Sequence, residues 1–403
     1  MDPLERLVRD EGAVVLATLV RATGSLDLAE DATQDALEKA LVTWPVSGVP
    51  DNPRAWLIVA ARHRAIDIMR REAQRPVKEA LFDAFGFSDR DDLLSLIFMC
   101  CHPALSVDAQ VALALRTLGG LGTADVARAL LVPEPTVAKR LTRAKQKIQQ
   151  ARIPYRVPPD HDLPARLTAV AATVYLIFNE GYTNGSRMLV DEAVRLARLL
   201  VRLMPDEPTA LGLLALLLLQ DSRRDARLSP AGELILLADQ DRSRWHQALI
   251  REGVIVLGTA LRRSPDRPDR YAVQAAVAAC HALAPTWAET PWDAVVSWYD
   301  VLLTVHDTPV VRLNRAAAVA ERDGPGAALP LVDALPLETY PWWHATRGEL
   351  LLRLGRSAEA AAAFEAALAL DLPSPARIRV ISAARQARAA SCSHEPHRPG
   401  LDR

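Results

Sequence analysis

Residues 122–147 read GTADVARALLVPEPTVAKRLTRAKQK, and the organisation of the chain follows from how this stretch folds. Thr123 is a suitable N-cap, and residues 124–131 carry a helical apolar face through Val126, Ala127 and Leu130. Pro133 has no N–H to donate and fixes its own backbone, so the first helix stops before it. Pro135 sits where a first-turn proline is tolerated, so a second helix can begin there. That helix turns Val137, Leu141 and Ala144 inward and leaves Lys139, Arg140, Arg143, Lys145 and Lys147 on its other faces. In a helix-turn-helix the second helix enters the DNA major groove, where Arg and Lys reach guanine edges and phosphates. The competing reading is a solvated basic helix in an all-α protein.

The rest of the chain limits the choices. A length of 403 residues suggests two or three domains. The net charge of −1 rules out a uniformly basic coat, so any contact with nucleic acid must be local. Four cysteines without paired spacing argue against a disulfide framework and fit a reducing compartment. The N-terminal MDPLERLVRDEG has no signal-peptide core, and the most apolar run, Leu211 to Leu219, is too short to span a bilayer. A soluble, cytoplasmic protein without membrane insertion is expected. Alanine and leucine at helical spacing dominate and β-branched alternation is nearly absent, so the fold class is all-α.

Residues 1–71 read as a compact helical unit, beginning with a helix from about Pro3 to Ala22. Asp27 is expected to cap the next helix, with Glu30 completing a capping box. In LAEDATQDALEKAL, residues Ala29, Ala32, Ala36, Leu37, Ala40 and Leu41 form one stripe, and Asp27, Asp31, Gln34, Asp35 and Glu38 fall opposite. Such an acidic face can be an ordinary solvated surface, and it suits the helix dipole. A breaker-rich loop is expected over Trp44, Pro45, Gly48, Pro50 and Pro53. The following helix, PRAWLIVAARHRAIDIMRR, has a core stripe of Ile58, Ala61, Ala65 and Ile68 and a basic exposed side. An aromatic at one end and arginines at the other can contact single-stranded bases and phosphates, or be a core tryptophan beside a surface charge run.

The three pieces LAEDATQDALEKAL, PRAWLIVAARHRAIDIMRR and PTVAKRLTRAKQKI, in this order, resemble a sigma-70-class RNA polymerase sigma factor of the extracytoplasmic-function (ECF) type. The resemblance covers about residues 1–152. It implies that Asp31, Gln34, Asp35 and Glu38 bind core RNA polymerase. It assigns residues 44–53 with Arg62, His63, Arg64, Asp67, Arg70 and Arg71 to the minus-ten promoter element. Thr136, Lys139, Arg140 and Arg143 would read the minus-thirty-five element. His63 stands where an asparagine is more usual, and Pro135 where a small residue is common. On this resemblance residues 1–71 are sigma region 2, residues 72–92 a linker that tethers the two DNA readers, and residues 93–152 sigma region 4. Tethering makes the second DNA contact intramolecular. No nucleophile or cofactor site is recognisable there. Cys100, Cys101 and His102 lack the spacing of a metal chelate and read as buried thiols at a helix end.

Minimal factors of this kind end near the helix-turn-helix, whereas this chain continues. The proline-rich IPYRVPPDHDLP, residues 153–164, reads as a linker, and residues 165–390 as a second helical region. In GELLLRLGRSAEAAAAFEAALALDLP, residues Gly348, Ala360, Phe364 and Ala367 follow the spacing of a tetratricopeptide repeat (TPR), with the closing Pro373 one place late, and weaker units fall at residues 309–335 and 193–205. Polar clusters interrupt the apolar helices at residues 179–182, 221–225, 239–242 and 245–246; they are either one convergent pocket or separate helix ends. The tail from Ser391 to Arg403 reads as disordered.

The extension resembles that of the ECF subgroup with a C-terminal TPR-like domain, which implies a regulatory module open to a protein partner or ligand. The expectation is a non-enzymatic initiation factor, with core RNA polymerase and promoter DNA as partners. Two other readings remain open: a helix-turn-helix regulator of duplex DNA with a helical-repeat sensor, and an enzyme built on the C-terminal polar clusters.

Overall fold

A computed structural model describes residues 3–72 and 89–392. These residues form 18 α-helices and three short 3₁₀ turns; the only β pairing among them is an isolated bridge between Leu228 and Leu234. The chain divides into two compact units, the first spanning Met1–Gly181 and Ser186–Leu203, the second Tyr182–Gly185 and Met204–Arg403.

The first unit opens with α1 (Pro3–Thr23), α2 (Leu26–Ser47) and α3 (Pro53–Glu72). Ser25, not Asp27, caps α2: its hydroxyl accepts from the Leu28 N–H at 3.3 Å. Asp27 lies inside the first turn and Glu30 is turned away from the cap, because both find a cation elsewhere. The expected loop at residue 44 starts later. Trp44 and Pro45 belong to α2, which ends at Gly48 with φ 83°, a backbone angle that glycine adopts without strain. Burial overrides the breaker signal there, since Trp44 is 3% exposed and packs edge-on to Trp56 with ring centroids 5.3 Å apart. The buried stripe of α3 is Leu57, Ala61, Ala65 and Ile66, whereas Ile58 and Ile68 are half-buried. An ion pair between Arg54 and Glu11 ties α3 to α1.

Next come α4 (Asp89–Cys100), α5 (Val107–Thr117), α6 (Thr123–Ala129) and α7 (Glu134–Gln150). The helix-turn-helix is α6–α7. Gly122 precedes α6 as its cap, with Thr123 already helical, and Pro133 caps α7 with Pro135 in the first turn. The turn itself uses Leu131 at φ 53°. Val137, Leu141 and Ala144 are buried, as is Ile148 one turn later.

The 153–164 stretch is anchored rather than free. The Tyr155 hydroxyl lies 2.6 Å from the Ala17 carbonyl and 2.9 Å from that of Asp92. Two further helices, α8 (Leu163–Asn184) and α9 (Arg187–Leu203), then pack into the same unit. Thr173 donates to the buried Gln110 side chain at 2.9 Å, and Arg166 donates to the Phe98 carbonyl. Buried Glu192 pairs with Arg195, whose guanidinium also reaches the Leu118 carbonyl. Gly119 admits this carboxylate, because a Cβ there would lie 3.1 Å from Glu192 Oε1.

The second unit begins its helices with α10 (Pro208–Asp221), whose Leu211–Leu219 run is buried throughout. Helices α11 (Gln247–Arg263) and α12 (Arg270–Leu283) pack on α10, the latter closely enough that a Cβ on Gly212 would sit 2.6 Å from the Ala272 nitrogen. Then follow α13 (Trp292–Val305), α14 (Pro309–Arg322), α15 (Pro325–Asp333), α16 (Pro341–Arg353), α17 (Ser357–Leu368) and α18 (Ser374–Cys392). Ser391 and Cys392, expected in the tail, close α18, and residues 393–403 lie outside the described residues. Successive helices pack on one another around a core that includes Leu313, Leu351, Ala360, Phe364 and Ala387. Phe364 of α17 lies across Gly348 of α16; a Cβ on that glycine would approach Phe364 Cε1 to 2.7 Å. Gly348→Val should therefore overpack the α16–α17 contact and cost about 1–3 kcal/mol, read as a lower midpoint of denaturant unfolding with an unchanged slope.

Candidate nucleic-acid interface

The acidic face of α2 continues further than the charged residues alone suggest. Asp31, Asp35, Glu38, Val42 and Val46 recur at spacings of three and four, so they share one side of the helix. The first half is acidic, which the dipole of α2 favours, and the second half is apolar. Val42 is 76% and Val46 90% exposed, whereas Val14 and Val15 of the neighbouring α1 are buried. These two valines were missed because neither helix periodicity nor charge marks an apolar residue as outward-facing. Asp35 is ion-paired with Arg64 of α3. The Gln34 amide donates to Glu38 at 3.0 Å and its oxygen accepts from Arg116 of α5 at 3.2 Å. Asp31 and Glu38 themselves are exposed.

On α3 the exposed positions Val59, His63, Asp67 and Arg70 line up at helical spacing, with half-buried Arg62 and Arg64 beside them. Arg71 is in the last turn, but its side chain lies outside the described ones. Of the 44–53 segment, Trp44 is unavailable to an external base because it is inside the core. Val49, Asp51 and Asn52 are exposed, with Asn52 Oδ1 accepting from the Ala55 N–H to cap α3.

On α7, Lys139 and Arg143 are exposed and Lys147 follows one turn on, extending the basic row beyond the residues that the resemblance assigned to the minus-thirty-five element. Thr136 is half-buried, and Arg140 is held by Asp108 of α5 at 2.8 Å. Lys145 is different. Its ammonium lies 2.7 Å from Asp27 and 2.8 Å from Glu30, on the opposite side of a cleft of about 440 Å³ between α2 and α7 that Asp31, Thr142 and Gln149 also line. Burial works to lower the Lys145 pKa, but the Glu30 and Asp27 carboxylates outweigh it and the net direction is upward. Both ion pairs are therefore formed at neutral pH.

Cys100 and Cys101 end α4 fully buried, Cys100 within 3.0 Å of the Thr117 hydroxyl. Burial raises both thiols, Cys101 to about 12. Among the described residues no three His, Cys, Asp or Glu side chains gather as a metal site, and no helix is long and apolar enough to cross a membrane.

Comparison with known proteins accounts for this arrangement. Residues 7–75 match sigma-70 region 2, residues 95–148 match sigma-70 region 4, and residues 166–261 match a family of unknown function, DUF6596. A probable RNA polymerase sigma-C factor of Mycobacterium bovis is 31% identical over 130 residues, which cover 30% of this chain and 68% of that protein. The chain belongs to the sigma-70 family, as an ECF factor with a C-terminal extension. It directs transcription initiation by RNA polymerase, and the family is not enzymatic. A probable ECF sigma factor, SigI, of Mycobacterium tuberculosis is 26% identical over 171 residues, covering 39% of this chain and 58% of its own length. An uncharacterized protein of Rhizobium meliloti is 44% identical over 377 residues, 88% of this chain and 89% of the relative, so it shares the extension as well as the sigma regions.

In this sigma factor the Lys145 contacts join regions 2 and 4. Lys145→Gln should leave Glu30 without its cation and loosen the α2–α7 contact. A larger radius of gyration by small-angle scattering, or a longer donor–acceptor distance between dyes on α2 and α7, is expected. An unchanged distance would show that the ion pairs do not hold the regions together. Because the lysine pKa is raised, the ion pairs contribute fully below its ordinary value of 10.5 and are lost as pH climbs through the raised folded value.

Proposed function

We propose that the α2 stripe is the surface through which this sigma factor docks on core RNA polymerase, and that the exposed faces of α3 and α7 read the two promoter elements. The carrying observation is the continuity of Asp31, Asp35 and Glu38 with Val42 and Val46 on one helix face. An acidic half gives orientation and on-rate, and an exposed apolar half gives burial on docking. Region 2 then occupies residues 1–71 and region 4 residues 93–152. The tether between them falls largely at residues 73–88, outside the described residues.

The compact arrangement of regions 2 and 4 is a resting state in this reading. Elements roughly 25 base pairs apart are separated by about 85 Å along B-form DNA. A factor whose α7 ammonium is bonded to α2 does not span that distance, so polymerase binding must exchange the Lys145 contacts for others. The extension, with its hairpins α14–α15 and α16–α17, is a TPR-like regulatory domain that answers to a protein or small-molecule signal. Its support is the close helix packing at Gly348 and the relative that shares it.

Reconstitution with core polymerase tests the docking surface. Asp31→Arg with Glu38→Arg should weaken binding at least tenfold and leave the melting temperature unchanged, since neither carboxylate is buried. Unaltered binding would remove α2 from the interface. On the promoter, Arg143→Ala should cost about 1–3 kcal/mol if it reads a base, with relaxed preference at one position of the minus-thirty-five element. Lys147→Ala should weaken all promoters alike and lower the salt dependence by about one counterion. Binding that responds to neither change would exclude the α7 row from the DNA.

A further inference from the structure

Between α10 and α11 the second unit carries a 25-residue connection with three 3₁₀ turns, and it brings most of the polar interruptions seen in the sequence into one place. The Arg227 guanidinium lies 3.4 Å from the Tyr182 ring centroid and donates to the Tyr182 carbonyl. Arg223 lies 5.9 Å from the same ring. Arg242 stacks on Trp245 at 4.7 Å and donates to the carbonyls of His281 and Ala284 at the end of α12. His281 in turn stacks on Trp287, ring centroids 5.8 Å apart, and meets Trp292 edge-on. Its pKa is lowered to about 4 by burial first and then by Arg223 and Arg242, so both guanidiniums are close enough to act on it.

The charge of this cluster is not balanced. Three nearby carboxylates are engaged elsewhere: Asp221 at the end of α10 with Arg224, Asp225 with His246 at 2.8 Å, and Asp241 with the Ser243 N–H and hydroxyl. Among the described residues the Arg223 side chain makes no hydrogen bond or ion pair, and Arg227 and Arg242 pair with no carboxylate. Polar atoms are left over as well. Arg242 Nη2, Trp245 Nε1 and His281 Nδ1 are buried without a hydrogen-bond partner, and the Trp245 residue is only 4% exposed. Buried polar atoms without partners cost free energy, and like charges held together, as Arg223 and Arg227 are at the Tyr182 ring, cost more. An anion with several acceptor oxygens relieves both at once.

We propose that Arg223, Arg227 and Arg242, with the Trp245 indole, form a binding site for the dianionic phosphoryl group of a small molecule. Guanidiniums bind phosphate oxygens in pairs, and half-burial strengthens each bond relative to water. The aromatic faces of Tyr182 and Trp245 are already covered by Arg227 and Arg242, so the phosphoryl group and not a stacked base supplies the recognition. The site places a small-molecule input in the extension, and its assay needs neither polymerase nor DNA. Its failure would leave the sigma-factor assignment untouched.

The full-length protein would be titrated with orthophosphate, pyrophosphate and ADP at constant ionic strength, following thermal unfolding and tryptophan fluorescence. At least one probe is expected to raise the melting temperature by a few degrees in a concentration-dependent way. Arg223→Gln should weaken that probe's affinity about tenfold without lowering the melting temperature of the unliganded protein, because the Arg223 side chain has no hydrogen bond or ion pair to lose and lies 5.9 Å from the Tyr182 ring. Arg223→Lys should restore part of the affinity through charge alone. Tighter binding of ADP than of pyrophosphate supports an esterified ligand at the site, and the reverse order supports a free one. No shift with any of the three probes, or an equal shift in wild type and Arg223→Gln, overturns the proposal.

Discussion

A single ammonium shared by two carboxylates decides which surfaces of the sigma regions face solvent. Lys145 belongs to the helix that carries the basic row, yet it points back to Asp27 and Glu30 at the head of α2. Its neighbours Lys139, Arg143 and Lys147 are left outward, and Asp31 is left at the edge of the cleft. The contact is of the kind that can be exchanged. Lys145 and Asp27 are partly exposed and can change partners at little cost, whereas Glu30 is only 10% exposed and needs a replacement cation when the contact opens. By contrast, Glu192 is fully enclosed with Arg195 and holds α9 against the end of α5 permanently. One unit thus contains a loose electrostatic seam between regions 2 and 4 and a rigid one between region 4 and the first helices of the extension.

The all-α architecture was legible because apolar spacing and helix-stop residues agreed along most of the chain. The helix-turn-helix is the clearest case: Val137, Leu141 and Ala144 are buried as their spacing requires, and the turn falls where Pro133 forces it. The misreadings occur where tertiary burial outweighs a local signal. Pro45 can ride inside α2 because Trp44 finds a place against Trp56, and a wet loop there would have forfeited that burial. Asp27 has the chemistry of an N-cap, but Ser25 is two residues nearer the chain reversal at Gly24, and the carboxylate is better used by Lys145. The proline-rich 153–164 stretch looked like a spacer, yet Tyr155 places its hydroxyl between two otherwise unrelated carbonyls.

The exposed faces that carry the candidate residues were readable from spacing, and the partners of those residues were not. The acidic face of α2 and the basic row of α7 follow from periodicity, but the partners of Asp35, Arg140 and Lys145 lie on other helices and leave no mark in the spacing. Val42 and Val46 were invisible for the opposite reason, since an outward apolar residue has the same letter as an inward one. In the extension, the polar interruptions were evident as composition, whereas their convergence depends on a connection that folds back over α12.

The adjacent cysteines at the end of α4 carry a consequence for handling the protein. A thiol must ionise before it attacks an alkylating reagent or a peroxide, and burial holds Cys100 and Cys101 in the neutral form at physiological pH. While the first unit is folded this pair is chemically silent, neither a redox sensor nor a labelling site. Any modification found there records that the helices around α4 have come apart, so the pair acts as a built-in tracer of how often this part of the factor opens.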